Sequence, residues 1–372
     1  MKTILSSRKR HYVAVISIFL IVLIMATLTV GMAGCGGGPI RIYTWFGLDK
    51  VRDNLGGSYI LMNDLDSTSS ATGYSPLASA TANDGKGWDP IGSSDEFFTG
   101  TFDGQGYEIR DVVINRPARD RVGLFGAVDG GVVKNLGVVN ATVTGQYDVG
   151  GLIGFNNYSY DTVSNCYFAG NVTGIYRVGG LVGYNIVSGV SNSYYTGNVT
   201  GDTEVGGLVG SNAAGLISDS YSTGSVTGTW KVGGLVGRNY DVTVTTSYST
   251  SSVTGTKDVG GLVGLHDSEY LCVSNSYFMG NVTGDKCVGG LAGCSYAGVG
   301  NSYYDYDKVL INGENIITIG ALFGEDFDQW LDNDKFLDVS ERLYEEDDYY
   351  LISDVSDFKQ LLAFGQNASL KF

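Results

Sequence analysis

A six-residue phrase, V-G-G-L followed by an aliphatic or alanine residue and glycine, recurs down the middle of this chain at almost fixed spacing. Copies begin at Val149, Val178, Val205, Val232, Val259 and Val288, and a worn copy, V-G-L-F-G, begins at Val122. The steps between starts are 27, 29, 27, 27, 27 and 29 residues. Self-similarity at a step of this size marks a solenoid or an array. A unit this short cannot bury an apolar face by itself and must stack on its copies. The unit beginning at Val178 reads VGGLVGYNIVSGVSNSYYTGNVTG. It holds three short apolar stretches, each broken by glycine or asparagine and none long enough for a helix. The expectation is an all-β fold: a parallel β-helix (β-solenoid) of about seven coils, with three short strands per coil.

Stacking predicts columns of equivalent residues, one rung per coil, spaced ~4.8 Å apart. Val163, Val190, Ile217, Val244, Val273 and Val299 each stand four residues before a tyrosine: Tyr167, Tyr194, Tyr221, Tyr248, Tyr277 and Tyr303. Asn165, Asn192, Asp219, Thr246, Asn275 and Asn301 lie midway. On an unbroken strand these three positions share a face. The residue before each V-G-G-L runs Arg121, Asp148, Arg177, Glu204, Lys231, Asp258 and then Cys287, so its sign alternates until the last coil. In register, opposite charges become direct neighbours, and a slip of one coil sets like on like. As exposed pairs they would be worth only ~0.2–1 kcal/mol each. The glycine pair itself is expected to let the chain turn at positive φ. No phosphate-binding or dinucleotide fingerprint follows any copy.

Composition narrows the class. The 56 glycines follow no triplet period, so the chain is not collagen, and abundant aromatic and β-branched residues argue against disorder. Four of the 23 basic residues precede Cys35 and no acidic residue does, leaving 19 basic and 39 acidic groups beyond it. That acidic surface repels nucleic acid. At the start, Arg8-Lys9-Arg10 precedes an uncharged apolar run over 13–30, which ends in Met32-Ala33-Gly34-Cys35. This is an export signal. The residues around Cys35 resemble a bacterial lipobox, which implies lipidation of that cysteine. The other reading is an uncleaved membrane anchor, for which the run is about long enough. Both place the rest outside the cytoplasm. Cys166, Cys272, Cys287 and Cys294 show no zinc-like spacing; small buried fillers are expected, with room for one bridge among the last three.

The segments Gly151-Leu152-Ile153-Gly154, Gly180-Leu181-Val182-Gly183 and Gly207-Leu208-Val209-Gly210 resemble the GLUG motif. So does the flanking text over 192–201, and so do the lead-ins Trp88-Asp89-Pro90-Ile91-Gly92 and Phe98-Thr99-Gly100-Thr101-Phe102-Asp103-Gly104. The resemblance covers residues 88–304. GLUG repeats occur in bacterial and archaeal secreted and surface proteins, including adhesin-like and some peptidase-bearing chains. The resemblance implies a β-helical stalk or adhesive surface, and no catalytic residue.

The expected organisation is an export signal over 1–34, a Gly-rich tether over 35–45, and an N-terminal cap with the first coils over 46–121. Repeats follow over 122–304, then a mixed α/β acidic segment over 305–372. The cap is expected to open with a short amphipathic helix carrying Leu48, Val51 and Leu55, followed by a strand at Tyr59. Helical patterning returns near Phe327, Trp330 and Leu331. The stretch 352–372 repeats the order of the opening, as if a second module began there, which would leave Leu361, Leu362 and Phe364 poorly packed.

No catalytic constellation is visible. His266 reads as a surface residue, and no G-x-S-x-G elbow is present. A glycosidase would need two carboxylates facing one groove. Asp202, Glu204 and Asp219, or Asp267 and Glu269, are the nearest approach to that. Asp332-Asn333-Asp334 lacks the glycine and distal glutamate of an EF-hand loop, so neither metal nor cofactor is expected. Tyr147, Tyr176 and Trp230, each two residues before a V-G-G-L, could form an exposed stripe on which sugars stack. The expectation is thus an exported surface protein, adhesin-like or structural, with a glycan or surface protein as partner. The alternative is a polysaccharide lyase or hydrolase on the same scaffold.

Overall fold

The protein is described by a computed structural model covering residues 38–68, 73–158, 162–241, 243–267, 273–295, 299–337, 343–346, 349–355, 357 and 359. The export segment, Cys35, Glu269, Cys272 and Leu361, Leu362 and Phe364 lie outside those residues. Pro39–Phe372 forms one compact unit. It is a parallel β-solenoid of about seven turns. One coil shows the plan: strands Tyr176–Gly179, Val182–Ile186, Val190–Ser191 and Tyr194–Thr200. Each pairs in parallel with its equivalent one coil on, as in Val178↔Val205, Val182↔Val209, Val190↔Ile217 and Tyr194↔Tyr221. Across the coils the strands build sheets of 6, 7, 10 and 12 strands. Aliphatic side chains fill the interior; Val178, Leu181, Val182, Val190 and Val199 are fully buried.

The coil from Tyr176 has four strands where the sequence predicts three, because the V-G-G-L-V-G phrase holds a corner; in the coils from Trp230 and Lys257 the last strand is also divided in two. Contrary to expectation, the paired glycines of the phrase do not take positive φ. They are there for space. A Cβ on Gly180 would lie 2.2 Å from the Tyr195 ring and from the carbonyl oxygen of Gly207 in the next coil. The left-handed conformation falls instead on the residue before the phrase: Arg121, Asp148, Arg177, Glu204, Lys231, Asp258 and Cys287 all have φ between 53° and 57°.

A second left-handed column corrects another expectation. Asn165, Asn192, Asp219, Thr246, Asn275 and Asn301 have φ of 45–53° and break the strand. The valine before and the tyrosine after therefore do not share a face: Val163 and Val190 point into the core, while Tyr167 and Tyr194 are half-exposed. Outside, Tyr167, Tyr194, Tyr221, Tyr248 and Tyr277 stack ring on ring at 4.8 Å, within 5° of parallel. Inside that same corner runs a buried serine column, Ser193, Ser220, Ser247, Ser276 and Ser302. Each hydroxyl accepts the backbone N–H of the equivalent residue one coil back, at 3.0–3.2 Å. Each then donates to the carbonyl two residues before itself. The turn removes those amides from the strand ladder, and a buried N–H needs a partner.

Both ends of the stack are covered. The opening helix is Trp45–Asp49, N-capped by the Thr44 hydroxyl and continued by a 3-10 turn, Lys50–Asp53. It buries Trp45, Leu48 and Val51, with Trp45 against Trp88 and Tyr74. Within the stretch expected to be a tether, Ile40–Ile42 is already a strand, paired in parallel with Tyr59–Leu61. Its inward Ile42 is fully buried, so the stack begins before the cap helix. At the far end, Val309, Ile311 and Ala321 join the solenoid core. The helix Gly324–Asp332 sets Phe327 and Trp330 edge-on against Tyr277, and Trp330 against Tyr303.

Candidate functional site

The corner around the left-handed charge column is the most chemically loaded surface of the solenoid. Beside it on the following strand runs an outward-facing column in register: Phe155, Tyr184, Ser211, Arg238, Leu265 and Cys294. On the other side runs the column of Tyr147, Tyr176, Thr203, Trp230, Lys257 and Lys286.

The alternating charges meet at two rungs of the column. Arg177 Nε lies 2.6 Å from Asp148 Oδ1, and Lys231 Nζ lies 2.9 Å from Glu204 Oε1. Arg238 adds a second cation 3.7 Å from Glu204, and it also donates to Asp267 at 2.9 Å. These are not the exposed pairs the sequence implied. Asp148 is 4% exposed, Glu204 1% and Asp258 6%. The left-handed backbone turns each side chain back over the sheet rather than out into water. Burial pushes the Asp148 carboxyl up to about 6, against the pull of Arg177 and Arg121. The cations are held flat on rings: Arg121 sits 4.2 Å from the Phe155 centroid, and Arg177 4.0 Å from that of Tyr184.

Tyr147, Tyr176 and Trp230 lie along one side of this corner. Tyr147 is 39% and Trp230 44% exposed. Tyr147 and Tyr176 meet edge to face at 6.3 Å, and Tyr176 is half-covered by Arg177. Thr203 stands between Tyr176 and Trp230, and Lys257 Nζ lies 4.9 Å from the Trp230 centroid. The trio is an interrupted aromatic column, not a continuous platform. Asp202 and Asp219 are exposed at different corners, while Glu204 is engaged by Lys231 and Arg238.

His266 is not the surface residue expected. It is fully buried, at the end of an interior asparagine column. Asn156 donates to Asn185 at 2.7 Å, Asn185 to Asn212 at 2.8 Å and Asn212 to Asn239 at 3.0 Å. Asn239 Nδ2 then lies 3.3 Å from His266 Nδ1, so the imidazole takes the acceptor's place and carries its proton on Nε2. Nε2 has no hydrogen-bond partner among the described residues. Burial holds the His266 pKa below its ordinary value. The clue in the sequence was positional: His266 falls six residues after Gly260, as Asn239 does after Gly233.

At the end of the charge column lies a second cluster, which the cysteine spacing in the sequence does not reveal. Asp258, Cys287 and Cys294 bring a carboxylate oxygen and two sulfurs to within 4.8 Å of one another. Cys287 and Cys294 are free thiols, Cys287 exposed and Cys294 half-buried, whereas Cys166 is a buried filler as expected.

The coils of this parallel β-helix repeat one phrase, laddered inside by serine and asparagine and outside by charge and tyrosine. The GLUG motif model matches two of these repeats, residues 145–173 and 201–227. It is 39% identical over 114 residues to halomucin of Haloquadratum walsbyi, which covers 30% of this chain and 1% of that one. It is 35% identical over 140 residues to a candidate Gly-rich membrane protein of Evansella cellulosilytica, covering 36% of this chain and 15% of that protein. This chain therefore spans a small part of either relative. Among solved structures, a candidate immunoglobulin A1 protease from Bacteroides ovatus superposes with a TM-score of 0.52 at 21% identity, over 84% of this chain and 91% of that one. That likeness concerns the fold alone.

Proposed function

We propose that this chain is an exported surface protein whose solenoid displays or spaces a binding face away from the envelope, tethered through Cys35 or through the apolar run before it. The observation that carries the reading is the in-register stack itself. Tyrosine, serine, asparagine and the charged residues between Arg121 and Lys231 are committed to contacts with the next coil. Side chains used this way build a rod. A polysaccharide-active enzyme would need two carboxylates across one groove, and the dispersed Asp202, Glu204 and Asp219 favour display instead. The GLUG repeat and the membrane named in one relative support the same reading. The partner is a glycan or surface protein that meets Tyr147, Tyr176 and Trp230; nucleic acid is disfavoured by the acidic surface.

Two measurements test this. Protease applied to intact bacteria expressing the full chain should clip it, and radiolabelled palmitate should enter the wild type but not Cys35→Ser. Protection in intact cells would overturn display. On a glycan array, the triple change of Tyr147, Tyr176 and Trp230 to alanine should abolish whatever the full chain binds. Unchanged binding would remove the aromatic column from the reading.

A further inference from the structure

We propose that Asp258, Cys287 and Cys294 form a binding site for one thiophilic divalent cation, of which zinc is the type. The argument rests on the repeat's own geometry. A buried acid in the charge column faces two positions of the following coil: the residue before V-G-G-L and the residue seven further on. For Glu204 these are Lys231 and Arg238, and both deliver cations to the carboxylate. For Asp148 they are Arg177, which pairs with it, and Tyr184. For Asp258 the same two positions are Cys287 and Cys294. The coil has thus exchanged two cationic side chains for two thiols around a carboxylate that is 6% exposed. Among the described residues no lysine or arginine pairs with Asp258. Lys231, one coil back, is held by Glu204. A buried carboxylate calls for compensating positive charge, and here the side chains offered in its place are metal ligands.

The donor set selects the ion. Two sulfurs and one carboxylate oxygen suit zinc or another thiophilic cation, and do not suit calcium or magnesium, which take six or more oxygens. Tetrahedral zinc with bonds of about 2.0–2.3 Å sets its ligand atoms about 3.3–3.8 Å apart. The three atoms here lie within 4.8 Å of one another, so small rotamer adjustments close the site. Cys287 is exposed, which leaves the fourth position open to water. Binding balances as M²⁺ plus two thiols and one carboxylate giving the bound ion and two released protons. Because both thiols must lose a proton to bind, affinity falls as pH drops. An ion here bridges two consecutive coils where the charge alternation ends, and locks their register.

The full chain, reduced and stripped with a chelator, is titrated with Co²⁺ at pH 7.5 and read by absorbance. The expected result is one Co²⁺ per chain, a thiolate-to-cobalt charge-transfer band, and its loss when one equivalent of Zn²⁺ is added. Cys287→Ser and Cys294→Ser should each abolish the two-thiolate spectrum. Asp258→Asn should weaken binding roughly tenfold or more, since losing a ligand exceeds the loss of a supporting group. Cys35→Ser, Cys166→Ser and Cys272→Ser should keep the band. Each variant is compared by far-ultraviolet circular dichroism, so a misfolded one is recognised and replaced by the corresponding alanine variant. Absence of the band, its survival without Cys287 or Cys294, or a Cys287–Cys294 disulfide forming in air despite excess Zn²⁺ would overturn the proposal.

Discussion

At the scale of single residues, two buried titratable groups give this solenoid opposed pH responses. Asp148 has a folded-state pKa raised from 3.8 to about 6 by burial. The folded chain therefore holds that proton more tightly than the unfolded chain, and stability declines as pH rises from about 4 to 6. The effect is ~3 kcal/mol at most. Asp148→Asn has no such titration, so its melting temperature should rise relative to wild type across that window. A constant difference between the two proteins would refute the assignment. His266 runs the other way. Its folded pKa lies below 6.5, so stability is lost as pH falls below 6.5. His266→Asn extends the asparagine column and should remove that acid sensitivity while holding the fold within ~1 kcal/mol at pH 7.5. Denaturant midpoints at pH 5.5 and 7.5 decide it.

At the scale of strands and corners, the glycines and serines act by removing conflicts. Gly180→Ala would drive a methyl group into the Tyr195 ring and the Gly207 carbonyl, and should destabilise by ~1–3 kcal/mol. Gly106→Ala, with open space at its Cβ and φ of 83°, should lose only the ~1–2 kcal/mol of left-handed strain. Ser247→Ala leaves the Ser220 N–H buried without its acceptor and should lose ~1–3 kcal/mol. Urea unfolding ranks all three. These cases show what was readable in advance. The repeat step, the parallel stacking and the tyrosine column follow from period alone, because translation by one coil superposes identical residues. The fourth strand, the facing of valine and tyrosine, and the burial of Asp148 and Glu204 did not follow. They depend on non-glycine residues such as Asn165 and Arg177 taking left-handed backbone, which neither alternation nor composition announces. The Asp258 cluster was hidden for a related reason: its cysteines are related through the coil geometry, not through a metal-ligand spacing.

At the scale of the whole molecule, stability should behave as a sum of coils and their interfaces. Deleting residues 205–231 removes one coil and brings Glu204 onto Asp258. Deleting residues 178–231 removes two coils and brings Arg177 onto Asp258, which keeps opposite signs together. Like charges stacked across parallel strands are unfavourable, and here they are buried. The shorter protein should therefore unfold at a denaturant concentration no lower than the longer one. A strict decline with coil number would show that charge order has no part in the register. The five stacked phenol rings end against Trp330, which makes them more than mechanical. Closely spaced identical chromophores pass excitation along the row, and an indole at its end collects it. Light absorbed by tyrosines several coils away should emerge as tryptophan emission, and that signal will fade as soon as the C-terminal cap lifts, giving the protein a built-in optical report of where along its length it begins to come apart.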